Sequence, residues 1–115
     1  NAHIILLGGD YQNESQVMVG PMVKKCVDNF HVDKIFVSAD GFTDAGFMSD
    51  NLMRTEAIQA LSEHANQVIV LTESSTFEET GAVIAFPLQE VQMLYTDEAI
   101  EDRYIQALHE HDIHV

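Results

Sequence analysis

Five short apolar runs punctuate the chain: His3 to Leu7, Lys34 to Ser38, Gln67 to Thr72, Val91 to Tyr95 and Ile113 to Val115. Most are continuous rather than alternating and rich in Ile and Val, the pattern of strands covered on both faces, as in a parallel sheet. Between the runs, apolar residues fall at helical spacing. Pro21 suits the opening of a helix because its missing N–H is unpaired there anyway, and Met22, Cys26 and Phe30 then share one face. Ser49-Asp50-Asn51 signals the start of a second helix with the stripe Met53, Ala57 and Leu61. Thr96-Asp97-Glu98 supplies a cap and first-turn acids for a third, striped by Ile100, Tyr104 and Leu108. Phe77 to Leu88 admits either a short strand or a short helix around Ala82 to Phe86, ended by Pro87.

The resulting order β-α-β-α-β-x-β-α-β fits βαβ units joined by right-handed crossovers. The expected fold class is α/β: a three-layer, Rossmann-like domain with a mostly parallel sheet, of which some strands are missing. At 115 residues the chain makes one domain. Asn1-Ala2 stands abruptly before the first run, with no initiator Met, and reads as the remnant of a cleaved tag. Residues 3–115 are then expected to be a fragment of something longer, and a scaffold lacking its first strands is expected to expose sheet edge and to associate.

Charge narrows the function classes. Five Lys and Arg face 19 Asp and Glu, a net charge of −14. Direct contact with DNA or RNA is disfavoured, since affinity there comes mainly from cations that displace phosphate counterions, and an anionic membrane is equally unsuited. No apolar run approaches the roughly 20 residues of a spanning helix. The single cysteine, Cys26, cannot form an internal disulfide, so a reducing cytoplasm is the expected compartment.

Ligands of open α/β sheets bind outside the carboxyl ends of the strands, so the residues after each run carry the chemistry. They are Gly8-Gly9-Asp10-Tyr11, Ser38-Ala39-Asp40-Gly41, Thr72-Glu73-Ser74-Ser75-Thr76 and Thr96-Asp97. Glycines allow close backbone approach, hydroxyls and N–H groups bond oxygens, and carboxylates accept from sugar hydroxyls. Such a ring suits a small polyhydroxylated or phosphorylated molecule. Each piece also has a plainer reading: Gly8-Gly9 and Asp40-Gly41 as turns, Ser74-Ser75-Thr76 and Asp97 as helix caps. Among the five cations only Arg54, at the start of the second helix, is placed near the strand ends, where a helix N-terminus also favours anions; a solvated surface arginine is the alternative.

Six segments occur in order. They are Ile5-Leu6-Leu7-Gly8-Gly9-Asp10-Tyr11, Val19-Gly20-Pro21, Asp33-Lys34-Ile35-Phe36-Val37-Ser38-Ala39-Asp40-Gly41-Phe42, Gly46-Phe47, Val68-Ile69-Val70-Leu71-Thr72-Glu73-Ser74-Ser75-Thr76-Phe77 and Tyr95-Thr96-Asp97. Together they resemble the C-terminal sensor domain of the DeoR family of bacterial transcriptional repressors over nearly the whole chain. The resemblance implies a fold similar to ribose-5-phosphate isomerase and an effector that is a phosphorylated sugar or related metabolite. It also implies a homo-oligomer, and DNA binding only through a winged helix-turn-helix expected upstream. By the same resemblance the Asp40-Gly41 loop and the Glu73 to Phe77 loop lie at the effector pocket, and Glu56 corresponds to a polar residue on the helix bordering it. The expected effector-binding set is Gly8, Gly9, Asp40, Gly41, Arg54, Glu56, Glu73, Ser74, Ser75 and Thr76. Family members usually carry Lys where Thr76 stands, and a Gly-Ser/Thr-Thr phosphate loop that would lie before residue 1. The missing lysine removes a charge-assisted phosphate contact, so the effector is held differently or is not a phosphate ester.

Catalytic and metal readings are weaker. Asp40, Glu56 and Glu73 suit proton shuttling in a sugar-phosphate isomerase-like enzyme, the rival function, but that chemistry also uses the lysine absent at position 76. Ser74 and Ser75 lack a nucleophile elbow. Cys26 reads as a buried structural thiol and His64 as complementing a helix C-terminus. His109, His111 and His114 straddle a helix end and a strand, so no metal site, no cofactor and no catalytic residue is expected.

Overall fold

The computed structural model describes residues 10–12, 17–19 and 21–115. The run His3 to Leu7 and the pair Gly8 and Gly9 lie outside the described residues. Asp10 and Tyr11, expected as a strand-end loop, begin a two-stranded antiparallel pair of β1 (Asp10–Gln12) and β2 (Val17–Val19).

Helix α1 (Pro21–Val27) opens on its proline as expected, yet its buried face is Val23 and Val27, not Met22, Cys26 and Phe30. Seven residues give two turns, so Phe30 falls past the helix end and is exposed, while Met22 is 62% exposed and Cys26 half-buried. The valines pack on Ala57 and Ala60 of α2 (Leu52–Ser62), small residues that let the two helices approach closely. Asn51 caps α2, its side-chain oxygen accepting from the Arg54 N–H at 3.0 Å. Of the expected stripe, Ala57 and Leu61 turn inward, whereas Met53 is exposed and Thr55 takes an inner place, its hydroxyl satisfied by the Asn51 carbonyl. His64 binds Asp28 at 3.2 Å, linking α2 to the end of α1.

The parallel sheet is formed by β3 (Val32–Val37), β6 (Ala65–Leu71) and β8 (Met93–Tyr95), in that spatial order. One face carries the buried Val37, Val68, Val70 and Leu94, with Ile35 half-buried beside them. The other is only partly covered: Ile69 is buried, but Phe36 is 57% and Tyr95 55% exposed. Continuous apolar runs therefore overstated the coverage.

A second sheet has no counterpart in the apolar runs. Strands β4 (Gly41–Thr43), β5 (Gly46–Ser49) and β7 (Val83–Pro87) pair antiparallel in the order β4-β5-β7, which resolves the ambiguous Ala82 to Phe86 segment as a strand. The α/β class and the parallel sheet hold; the antiparallel sheet is added to them. Gly41 is needed where β4 meets the 79–81 backbone, because a Cβ there would stand 2.7 Å from the Gly81 nitrogen.

Helix α3 (Asp102–Glu110) starts later than Thr96-Asp97-Glu98 implied, with Glu101 at its cap. Of the expected stripe, Leu108 is fully buried and Tyr104 half-buried on the helix, whereas Ile100 packs on the core from the segment before the cap, outside α3. It ends in a Schellman turn, with Asp112 at φ 60° and the Ile113 N–H donating to the Leu108 carbonyl at 3.0 Å. The expected last strand reduces to one parallel bridge between His114 and Met93.

Replacing Leu94 by Ala is expected to cost about 2–5 kcal/mol through the cavity it leaves, and Met22→Ala to stay within about 0.5 kcal/mol. Urea unfolding of both variants checks this assignment; a Met22 cost equal to that of Leu94 would restore the stripe the helical spacing suggested.

Candidate functional site

Because β3, β6 and β8 run parallel in register, their carboxyl ends open on one edge, and the segments Ser38 to Asp40, Thr72 to Thr76 and Thr96-Asp97 all leave from it. Two polar clusters form there.

The first joins the end of β3 to the start of α2. Asp40 Oδ2 accepts from Arg54 Nη2 at 2.8 Å, from the Asp50 N–H at 3.0 Å and from the Ser49 hydroxyl at 3.5 Å, while the Asp40 N–H donates to the Met48 carbonyl. Arg54 and Asp40 are 23% and 33% exposed, so the pair is partly desolvated yet reachable from solvent. Beside it, Ser38 and Arg54 form the polar end of a cavity of about 320 Å³, whose walls include Met18, Val23, Ile35, Ala57 and Leu61.

The second cluster is built on a short 3₁₀ turn, Ser74–Glu78, after β6. Its opening N–H, of Ser74, donates to Asp97 Oδ2 at 2.9 Å, and Asp97 Oδ1 takes the Ala99 N–H at 3.0 Å. Asp97, expected as the cap of α3, thus caps this turn instead. The Ser74 hydroxyl, and after it the Ser74 N–H, hold the Asp97 carboxyl below the ordinary carboxylate range. Thr76 bonds Thr72 side chain to side chain at 2.9 Å, and its N–H donates to the Glu73 carbonyl. Glu73 and Ser75 are exposed. At the end of β8, Thr96 Oγ1 is buried with no partner among the described residues.

The turn is anchored from below by Phe77, buried against Phe42 at 4.9 Å, Tyr104 at 4.9 Å and Phe47 at 6.0 Å between ring centroids. Glu78, exposed on the turn, accepts from Tyr104 Oη and Arg103 Nη2, both at 3.1 Å. Arg103 also lies 4.6 Å from the Tyr104 ring centroid and binds Glu101 at 2.7 Å, so a cation reaches this turn as Arg54 reaches Asp40 in the first cluster. Glu101 holds the Arg103 guanidinium above its usual range, and burial raises the Tyr104 phenol.

Of the expected residues, Asp40 and Arg54 are brought into contact, and Ser74, Ser75, Thr76 and Glu73 share the neighbouring strand end. Gly41 is buried under the 79–81 backbone. Glu56, two residues from Arg54 and so on another side of α2, is exposed in a surface groove with Gln59, Ala60 and Glu63. Ser38, Asp97 and Tyr104 gain importance through contacts that no local spacing announces. His109, His111 and His114 fall on the last turn of α3, its cap and the terminal bridge; among the described residues no group of three or more His, Cys, Asp or Glu is arranged to hold a metal ion.

Polar strand ends gathered at the carboxyl edge of a parallel sheet define an α/β domain of the kind that binds small molecules there. The chain belongs to the DeoR C-terminal sensor domain family, whose model matches residues 1–98. Similar proteins include the HTH-type transcriptional regulator IolR of Bacillus subtilis (strain 168), 27% identical across 98% of this chain and 45% of that protein. The HTH-type transcriptional repressor GlcR of the same organism is 30% identical across 82% of the chain and 36% of its own length. The putative aga operon transcriptional repressor of Escherichia coli O157:H7 is 24% identical across 97% and 42%. The chain therefore spans less than half the length of these relatives, all of them transcription regulators, and is itself a regulatory sensor domain. No helix among the described residues is long and apolar enough to cross a membrane.

The lowered Asp97 carboxyl has a signed consequence. Since it ionises more readily folded than unfolded, its contribution is complete above the unfolded value and is lost as the pH falls through the folded one. The stability advantage of the native chain over Asp97→Asn is expected to be level from pH 7 to about 5 and to shrink below about 4. Urea unfolding across that range checks it; a gap independent of pH would remove the assignment.

Proposed function

We propose that this chain is the effector-binding and oligomerising part of a cytoplasmic DeoR-type repressor of sugar metabolism, with residues 3–115 forming part of the sensing domain. The observation that carries the reading is the meeting of the Asp40–Arg54 pair and the Ser74–Asp97 turn at one carboxyl edge in a domain of this family. A sugar, sugar phosphate or related metabolite lies across that edge. Its differential affinity for one arrangement of subunits shifts the DNA-binding heads, carried elsewhere in the protein, relative to their operator half-sites. Similarity to regulators named for the aga and L-fucose operons supports a sugar-related effector.

Thermal-shift titration of the full-length protein with sugars and sugar phosphates tests the reading. A binding metabolite is expected to raise Tm, by an amount equivalent to about 2.7 kcal/mol at a hundred times Kd, and Asp40→Asn to weaken the effect. Absence of stabilisation by every compound at saturation would remove the sensing role.

A further inference from the structure

We infer, resting on the reading above that residues 3–115 are part of a larger sensing domain, that the open edge of β3 and the bare sheet face beside it form one docking surface. Its occupant is further parallel strands with a covering helix layer, supplied by the protein's own polypeptide outside this chain. The bare face is apolar across all three strands. Register sets Phe36, Ile69 and Met93 side by side, and Leu71 beside Tyr95. Phe36, Leu71 and Tyr95 are exposed, while Ile69, buried between its neighbours, joins neither hydrophobic core cluster. Parallel sheets occur with both faces covered, so such a face calls for a layer of helices. The two sheet edges differ as well. Outside β8, Met93 bridges His114 and the Leu94 N–H donates to the His114 carbonyl at 2.8 Å, whereas β3 pairs with β6 alone among the described residues.

Crossover handedness links the open edge to the bare face. The connections β3 to β6 and β6 to β8 both lie on the opposite face, where Ile58 of α2, Phe77 and Phe86 pack with Val37, Val70 and Leu94. Right-handed crossovers on that face carry the chain one way only, from β3 toward β8. A right-handed crossover on the bare face steps the other way, so the strands it joins are added beyond β3. Helices that shield Phe36 therefore bring strands for the β3 edge. A second copy of the chain meets only half of this requirement: two β3 edges paired antiparallel about a dyad normal to the sheet leave the same face of both copies bare. The relatives have the length to supply the occupant, since this chain spans 45% of IolR and 36% of GlcR.

Amide hydrogen exchange of the native full-length protein, resolved to single residues, tests the surface without any substitution. The Val32 N–H donates to the His64 carbonyl, so by strand alternation the Lys34 and Phe36 amides point to β6 and those of Ile35 and Val37 to the open edge. If the edge is filled, the Ile35 and Val37 amides are expected to exchange about a hundredfold more slowly than unpaired amides, at every protein concentration. Exchange of both at the unpaired rate would leave the edge open and overturn the inference. Protection that disappears on dilution, as the subunits separate, would make a second copy the occupant and overturn it equally. Exchange is read without ligand, so either result leaves the effector-binding reading to be decided by the thermal-shift titration alone.

Discussion

Burial of Phe77 is the constraint on which the rest of the structure turns. Its ring meets Phe42 and Phe47 of the antiparallel sheet and Tyr104 of α3, while its backbone belongs to the turn that leaves β6. One side chain therefore ties the parallel sheet, the antiparallel sheet and the last helix together. Each such ring contact adds about 0.5–1.5 kcal/mol beyond the area it buries, so the cluster rivals a large aliphatic core residue in weight. Without it, Ser74 to Thr76 would hang from the end of β6 with only edge hydrogen bonds to place them.

Above that anchor, the two polar clusters are fixed by different means. Asp40 is held by donors from the β5–α2 junction, so its position follows from the antiparallel sheet as much as from β3. Gly41 belongs to the same arrangement, because β4 can lie against the 79–81 backbone only where no Cβ intervenes. The Ser74 turn is held by Asp97 from the end of β8 and, through Glu78, by Tyr104 and Arg103 of α3. Any displacement of this turn is thus passed to β8 and α3, the elements that hold it.

The legible part of this architecture was the part with strong periodicity. β3, β6, β8, the capped start of α2 and the Tyr104 and Leu108 face of α3 all follow from apolar spacing and from Asn51. Strands β4 and β5 were not legible, since three or four residues carry too little alternation to register and their glycines read equally well as turns. The stripe on α1 failed because spacing alone does not say where a helix stops; with seven residues, Phe30 had no turn left to occupy. At the site, Asp40 and Arg54 were named, but fourteen positions apart in the chain nothing showed that they pair. Asp97 was misread for the same reason: Thr-Asp-Glu before a helical stripe is a sound cap signal, and only the tertiary placement of Ser74 offers its carboxylate an N–H in another turn.

That displaced cap ties the Ser74 turn to the order of the sheet. An acid at a helix cap satisfies amides that would otherwise be open to solvent or to a bound anion. When the acid comes from a different strand, the satisfaction is conditional on the strands keeping their register. β6 and β8 are paired up to Leu71 and Tyr95, and the Thr72 N–H continues the ladder to the Tyr95 carbonyl at 3.1 Å, so Asp97 is carried to Ser74 by the sheet itself. Any change that slid β8 against β6 would break the Ser74–Asp97 bond and release the turn from the sheet.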